Sequence, residues 1–281
     1  VTNAYLYTGE DKYKNWVLEY VEAWMDRIKQ NDGIIPDNIG PTGIIGERRG
    51  GQWWGGIHGW NRLYFTPGFR ILIGLCISAE CAQLLSGDNG YLDLLRSQIK
   101  VMLDRGKKRE DGQLIVPTRH GPDGWDEYVP VQMQSLVLLY HASMAQEDLE
   151  MLRYVRDNEV ERDFNEFRSH GDRGGVNLEP RFQYYEGNLP DWPTKVLEAD
   201  QLYVNAMHEN MRRDNRTVEE IIEENRWPAN PVTVKGLTHL TQGAPQPVYN
   251  GGMPRYTVRY FDTDRVRPGL PADVAAFVDE L

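Results

Sequence analysis

Residues 8–13 read TGEDKY and residues 86–91 read SGDNGY, so one Gly-containing turn occurs twice at an offset of 78 residues. Two further features keep nearly the same spacing. An Asp-Gly pair at residue 32 recurs at residue 111, an offset of 79, and a Gly-Pro-x-Gly sequence at residue 40 recurs at residue 121, an offset of 81. Three features in one register indicate an internal repeat.

Two kinds of helical pattern lie between these repeated sequences. Trp16, Tyr20, Trp24 and Ile28 are spaced four residues apart, which predicts an amphipathic helix with one apolar stripe. Residues 71–85 and 131–145 are apolar on nearly all faces, and a helix of that kind must be covered on every side. We interpret the alternation as two layers, with amphipathic helices outside and apolar helices inside.

The predicted fold is therefore all-α, an (α/α) toroid of helical hairpins present as a partial ring of about four repeats. The toroid is predicted to span residues 1–243 and to lack preceding N-terminal helices, because the chain starts at Val1 in what reads as the end of a helix. Residues 244–281 carry several Gly and Pro and are predicted to form a short β or irregular segment with a terminal helix. In such a ring the long loops, residues 31–65, 111–128 and 159–192, emerge at one end, where we expect the functional site.

The first long loop combines eight glycines between residues 40 and 59 with three tryptophans. Glycine lets the backbone approach a ligand closely, and a tryptophan ring can pack on the apolar face of a sugar. The alternative is that the tryptophans fill the core, since Trp is often largely buried. The candidate substrate-binding residues are Glu47, Arg48, Arg49, Trp53, Trp54, Trp60, Asn61 and Arg62, and the candidate catalytic residues are His58 and Tyr64.

The other two long loops repeat the combination of aromatic and charged residues. The second offers Trp125 for binding and His120, Asp126, Glu127 and Tyr128 for catalysis, although Asp126 could instead cap a helix. The third offers Tyr184, Tyr185 and Glu186 as substrate-binding residues.

Composition and the absence of certain motifs indicate which kinds of binding partner are not expected. The net charge is −11 and no basic block interleaves with aromatic residues, so nucleic acid is not expected. No apolar run reaches the roughly 18 residues of a membrane span. No metal-ligand spacing and no phosphate-binding glycine motif is present, so neither a metal nor a cofactor is expected. The expected partner is a polysaccharide or oligosaccharide, outside the cytoplasm.

The alternation of helices and the TGEDKY-type turns resemble the α/α-toroid carbohydrate-active enzymes, which include six-hairpin glycosidases and toroidal polysaccharide lyases. The resemblance covers roughly residues 1–243. Residues 50–60, GGQWWGGIHGW, are similar to a segment of bacterial glycan-degrading proteins related to rhamnose–glucuronate lyases. The resemblance implies a toroidal enzyme that cleaves glycosidic bonds.

Three functions remain open from the sequence. A lyase would neutralise a uronate carboxylate with Arg48, Arg49, Arg62 or Asn61 and remove the C5 proton with a His or Tyr base. A glycoside hydrolase would use two carboxylates, with Glu47, Asp126, Glu127 and Glu186 as candidates. A non-catalytic glycan-binding module would need only the tryptophans. The abundance of Arg, His and aromatic residues in the first loop favours the lyase.

Overall fold

The computed structural model describes residues 1–56, 59–60, 67–169 and 176–224. Within these ranges the chain divides into two compact units, the first comprising Val1–Arg162 and the second beginning at Asp163. The domain boundary predicted at residue 243 and the predicted segment 244–281 lie outside the described residues.

Helices in sequential pairs make up most of the first unit. Helices α3 and α5 contact each other, α2 and α4 pack against α3, and α6 packs against α5. The elements are α1 (Thr2–Thr8), α2 (Asp11–Gln30), α3 (Pro67–Ser86), a 3-10 helix (Asn89–Leu92), α4 (Asp93–Asp104), α5 (Met133–Ser143) and α6 (Gln146–Asp157).

Burial differs between these helices in the way that their sequences indicate. Helix α5 is buried at nine of its eleven positions, as a helix that is apolar all round must be. Helix α2 instead buries Val21 and Ile28, which are seven residues apart and so lie on one face. Trp16 and Tyr20 of the predicted apolar stripe are each 55% exposed, so the N-terminal half of that stripe does not face the core.

The turns between paired helices follow one hydrogen-bonding pattern at three junctions of the first unit. At the first, Gly9 adopts a φ of 69° and donates to Tyr5 O at 2.7 Å, while the Thr8 hydroxyl accepts from Glu10 N–H at 3.2 Å. The same roles fall to Ser86, Gly87 and Asp88 at the second junction and to Ser143, Met144 and Ala145 at the third. The third copy has no glycine, which is why the sequence does not reveal it.

The all-α toroid prediction is wrong, because the first unit also contains a three-stranded antiparallel sheet in the order β1-β2-β3. Strand β2 and most of β3 occupy the predicted second long loop, residues 111–128, whereas β1 precedes it. Leu114, Val116 and Thr118 are all buried, as expected for alternate residues of a strand with one face on the core. The fold is mixed helix and sheet, with strands β1 (Lys107–Lys108), β2 (Leu114–Gly121) and β3 (Gly124–Pro130).

The physical reason for the error lies in the Gly-Pro-Asp-Gly sequence at residues 121–124. Gly121 and Gly124 pair directly, and Gly124 has a φ of 101°, a conformation that glycine adopts at little cost. The sequence is thus the tight turn of a β-hairpin. The sequence resembles the glycine-rich first loop in composition, which is why it is predicted as a second loop. The described part of the first loop contains none of the three strands.

A buried ion pair joins α4 to α6. Arg96 Nε and Nη2 donate to the two carboxylate oxygens of Asp148 at 2.7 and 2.8 Å. The side chain of Asp148 is fully buried and that of Arg96 is 9% exposed. The hydrogen bonds to Asp148 raise the pKa of Arg96 above its usual value. The pair is shielded from water and holds the two helices in register.

The second unit is described from Asp163 to Glu224 except for residues 170–175. Its core contains Val176, Tyr184, Trp192 and Val196. Its helices are α7 (Glu179–Tyr185), α8 (Trp192–Arg213) and α9 (Val218–Glu224).

Candidate functional site

The β2–β3 hairpin and the first long loop bring four predicted site residues together. His120 and Trp125 are direct partners in the β-ladder, with ring centroids 5.0 Å apart and planes at 89°. Trp53 and Trp54 of the loop approach the same imidazole, at 4.5 and 4.9 Å between centroids. We call these four residues together with Trp60 the tryptophan cluster.

Trp60 is the most deeply buried residue of this cluster. It has no exposed surface, its indole N–H donates to Ile35 O at 3.0 Å, and its ring lies 5.0 Å from that of Trp125. Trp53, Trp54 and Trp125 are each partly exposed. The core-filling alternative therefore describes Trp60, whereas the other three rings keep surface for a ligand.

Asp37, which the sequence analysis did not identify, fixes the loop that carries these tryptophans. Its carboxylate accepts from the backbone N–H of Gly56 at 2.9 Å and of Trp60 at 2.6 Å. A Cβ at Gly56 or Gly59 would overlap Asp37, so the loop needs glycine at both positions. Burial raises the pKa of Asp37, and the bonds from Gly56 and Trp60 oppose that shift. Asp37 is one of many acidic residues, and only its contacts distinguish it.

Replacement of Asp37 by alanine should lower the free energy of unfolding by about 1–3 kcal/mol, because two backbone N–H groups would lose their acceptor. The near-ultraviolet circular dichroism of the tryptophans should weaken at the same time. Urea denaturation and the dichroism spectrum measure the two effects. The exposed Asp26 of α2 provides the control, and Asp26→Ala should leave both nearly unchanged. An unchanged spectrum in Asp37→Ala would show that the carboxylate does not hold the loop.

The charge state of His120 is set by its surroundings. Burial lowers the pKa of His120 below its ordinary value, the positive charge of Arg105 lowers it further, and the negative charge of Asp126 opposes both. Its Nδ1 is buried and has no hydrogen-bond partner among the described residues. The neutral imidazole is therefore favoured.

A titration followed by NMR should place the pKa of His120 below the ordinary value of about 6.5. Arg105→Met should raise this pKa and Asp126→Asn should lower it, because each removes one of the two nearby charges. Since folding lowers this pKa, the stability that it contributes is present above the unfolded value and is lost as pH falls through the folded value. A pKa of His120 at or above the ordinary value would contradict this electrostatic description.

Arg105 is the second residue that sequence reasoning missed. It follows the last residue of α4, its guanidinium carbon lies 5.4 Å from the centre of the Trp125 ring, and Nη1 donates to Val101 O at 2.9 Å. No ion pair engages it among the described residues. Arg105 is far in sequence from the glycine-rich loop, so its position gave no indication of a role at the site. It reaches the cluster through its contact with Trp125 of the hairpin.

The predicted catalytic acids on β3 are engaged with a neighbouring arginine. Arg119 Nε donates to Asp126 Oδ1 at 2.6 Å, and Nη1 of the same side chain lies 3.7 Å from Glu127 Oε1. Tyr128 has the ammonium group of Lys107 4.1 Å from its ring centre. Asp126 and Glu127 thus share one guanidinium, and Asp126 also acts on His120 through its charge.

Glu47, Arg48 and Arg49 lie apart from the rings, in a depression of the first long loop. The depression is lined by Asn38, Ile39, Gly40, Pro41, Gly46, Glu47, Arg48 and Arg49. The three predicted residues are all exposed. We call this surface the arginine depression.

The other predicted residues have no described contact with the tryptophan cluster or lie outside the described residues. His58, Asn61, Arg62 and Tyr64 fall outside the described residues. In the second unit, Tyr184 is 2% exposed and its ring lies 5.3 Å from that of Trp192, which gives it a packing role. Tyr185 accepts a hydrogen bond from Arg181 Nε at 2.6 Å, and Glu186 follows the end of α7.

Two classes of feature are absent from the described residues. No group of three or more His, Cys, Asp or Glu side chains there could hold a metal ion. None of the described helices has the length and apolar character needed to cross a membrane.

The fold and site define a protein of paired helices and a small sheet, with a partly exposed tryptophan cluster around a histidine. The chain belongs to the family described as a domain of unknown function, DUF8034, whose model matches residues 1–117 and 110–238. Comparison with curated proteins and with solved structures finds no match.

Proposed function

We propose that this protein cleaves acidic polysaccharides or oligosaccharides by β-elimination at a uronate. The observation that carries the proposal is the packing of His120 among the tryptophans of the cluster, close to Arg105, which has no ion-pair partner in the described chain. Burial lowers the pKa of this histidine. A lyase needs this combination, because its base must be unprotonated and the substrate carboxylate must be neutralised nearby.

Binding would use the aromatic faces and Arg105 together. The partly exposed rings of Trp53, Trp54 and Trp125 offer apolar surface to the C–H face of a sugar. Arg105, whose guanidinium lies over the Trp125 ring, would pair with the uronate carboxylate of a sugar that packs on Trp53 or Trp54. That pairing makes the neighbouring C5 proton more acidic.

The chemical step then uses His120 as the base. Nε2 of His120 takes the C5 proton, the C–H electrons form the double bond between C4 and C5, and the glycosidic oxygen at C4 leaves. Solvent water would protonate that oxygen, because the register that pairs His120 with Trp125 and Pro117 with Tyr128 puts the Tyr128 phenol on the opposite face of the hairpin from His120. The negative charge of Asp126 would stabilise the imidazolium that forms.

The carboxylates fit hydrolysis less well. A glycoside hydrolase needs a carboxylic acid and a carboxylate on either side of the scissile bond. Asp126 accepts a hydrogen bond from Arg119 and Glu127 lies close to the same guanidinium, so both carboxylates are engaged by one cation rather than placed on either side of a bond. Asp37 has a raised pKa, but both of its oxygens are held by the loop backbone.

The test is product analysis with the full chain and a panel of uronate-containing oligosaccharides. Elimination creates an unsaturated uronate that absorbs in the ultraviolet, so absorbance should rise together with new reducing ends. New reducing ends without that absorbance would overturn the proposal in favour of hydrolysis. Binding without either product would identify a glycan-binding module.

A further inference from the structure

We propose that the arginine depression is a second subsite, which binds the anionic substituent of a neighbouring sugar unit in the same glycan chain. The proposal rests on the function proposed above and extends it. The substrate would be a chain with acidic groups on at least two units, one at the tryptophan cluster and one at Arg48 and Arg49.

The first observation is the state of the two arginines. The chain has 42 acidic and 31 basic residues, so acidic partners are plentiful. Arg96, Arg109, Arg119, Arg162 and Arg216 are all ion-paired. Arg48 and Arg49 are exposed and form no ion pair or side-chain hydrogen bond with another described residue. In an acidic protein, two adjacent cations without such partners at the edge of a depression are suited to an external anion.

The second observation is that the depression has a defined shape. Gly46 N–H donates to Asn38 O at 2.8 Å, and Gly51 N–H donates to Gly46 O at 3.0 Å, which closes the loop that carries both arginines. A Cβ at Gly46 would clash with the backbone of Gly51. Glu47 accepts from Thr42 N–H at 3.3 Å and keeps acceptor capacity for sugar hydroxyls.

The third observation is that the two arginines and the two adjacent tryptophans are carried by one hydrogen-bonded loop. Gln52 Nε2 donates to Trp54 O at 2.8 Å, and a Cβ placed on Gly55 would lie 3.8 Å from Arg49 Nη1. Arg49 also acts on Asp37 through its charge, and Asp37 holds Trp60. The guanidinium of Arg49 is therefore adjacent to the residues that follow the two exposed indoles. A single oligosaccharide can contact both surfaces.

The test compares binding of three probes by the full chain. The probes are a uronic acid oligosaccharide of several units, its carboxyl-reduced neutral counterpart and a sulfated neutral oligosaccharide. The variant is Arg48→Ala/Arg49→Ala, and the matched control is Arg212→Ala/Arg213→Ala, which removes two adjacent exposed arginines at the end of α8. Quenching of tryptophan fluorescence reports binding.

We expect the Arg48→Ala/Arg49→Ala variant to bind the uronic acid probe about ten- to a hundredfold more weakly, with a smaller dependence on salt. The control should bind like the native protein, and the neutral probe should not distinguish the variants. Tighter binding of the uronic acid probe than of the sulfated probe identifies a carboxylate as the ligand, and the reverse identifies a sulfate ester.

Two outcomes would overturn the proposal and can be told apart. Equal affinity of the native protein and the Arg48→Ala/Arg49→Ala variant for the acidic probes removes the subsite but leaves the function at the cluster standing. Absence of binding to all three probes by the native protein removes both. Circular dichroism of the variant establishes that a loss of binding does not come from unfolding.

Discussion

Replacement of His120 by glutamine is expected to lower the rate of uronate elimination by about 100- to 10,000-fold, the range over which general bases act. Glutamine is similar in size and polarity but cannot accept the C5 proton at neutral pH. The tryptophans that surround the ring would remain, so the substrate should still bind. The measurement is kcat and KM on a uronate oligosaccharide, followed by the ultraviolet absorbance of the product.

His208→Gln is the matched control, because that histidine is exposed on α8 in the second unit. It should keep the native rate. His58, which lies outside the described residues, is the other histidine among the candidate catalytic residues. The variant His58→Gln tests whether it, rather than His120, is the base. If His58→Gln abolishes the elimination and His120→Gln does not, His120 is not the base.

Replacement of Asp148 by alanine is expected to lower the free energy of unfolding by about 3–5 kcal/mol, because it leaves the guanidinium of Arg96 buried without its main partner. The loss should separate α4 from α6 before other contacts fail. Urea denaturation measures the change as a lower midpoint. The rate of any catalysed reaction should follow only the fraction of folded protein.

Glu147 offers a control on the same helix. It contacts Arg96 at 3.3 Å and Lys100 at 2.7 Å, but its side chain is 48% exposed. Glu147→Ala should therefore change stability by no more than about 1 kcal/mol. The double variant Arg96→Leu/Asp148→Leu should recover much of the stability lost in Asp148→Ala, since apolar side chains can replace a buried pair. Equal stability of Asp148→Ala and Glu147→Ala would contradict the assignment of a shielded pair.

The sequence predicts local structure well where one physical signal dominates. The spacing of Trp16, Tyr20, Trp24 and Ile28 predicts a helix, and α2 contains all four residues. The Thr-Gly and Ser-Gly turns share a hydrogen-bonding pattern in the structure. The similarity of the turns did not extend to the loops, because Gly, Pro and Asp favour tight hairpin turns and open loops alike. The sheet was missed for that reason.

The sequence likewise predicts some residues of the candidate site and misses others. Tryptophan, glycine and histidine together marked the first two loops, and the structure brings Trp53, Trp54, His120 and Trp125 together. Asp37 and Arg105 could not be recognised, because their importance comes from what they touch across the fold. Neither residue type nor spacing carries that information.

The pairing of His120 with Trp125 across the hairpin has a consequence for molecular recognition. Cross-strand neighbours are held by the backbone bonds of both strands, so their separation barely changes when a ligand arrives. For the glycan ligand proposed above, the flexible partner in binding would then be the sugar chain, which would have to adopt the torsion angles that this pair allows. Calorimetry should show that the entropy lost on association depends mainly on the length and flexibility of the oligosaccharide.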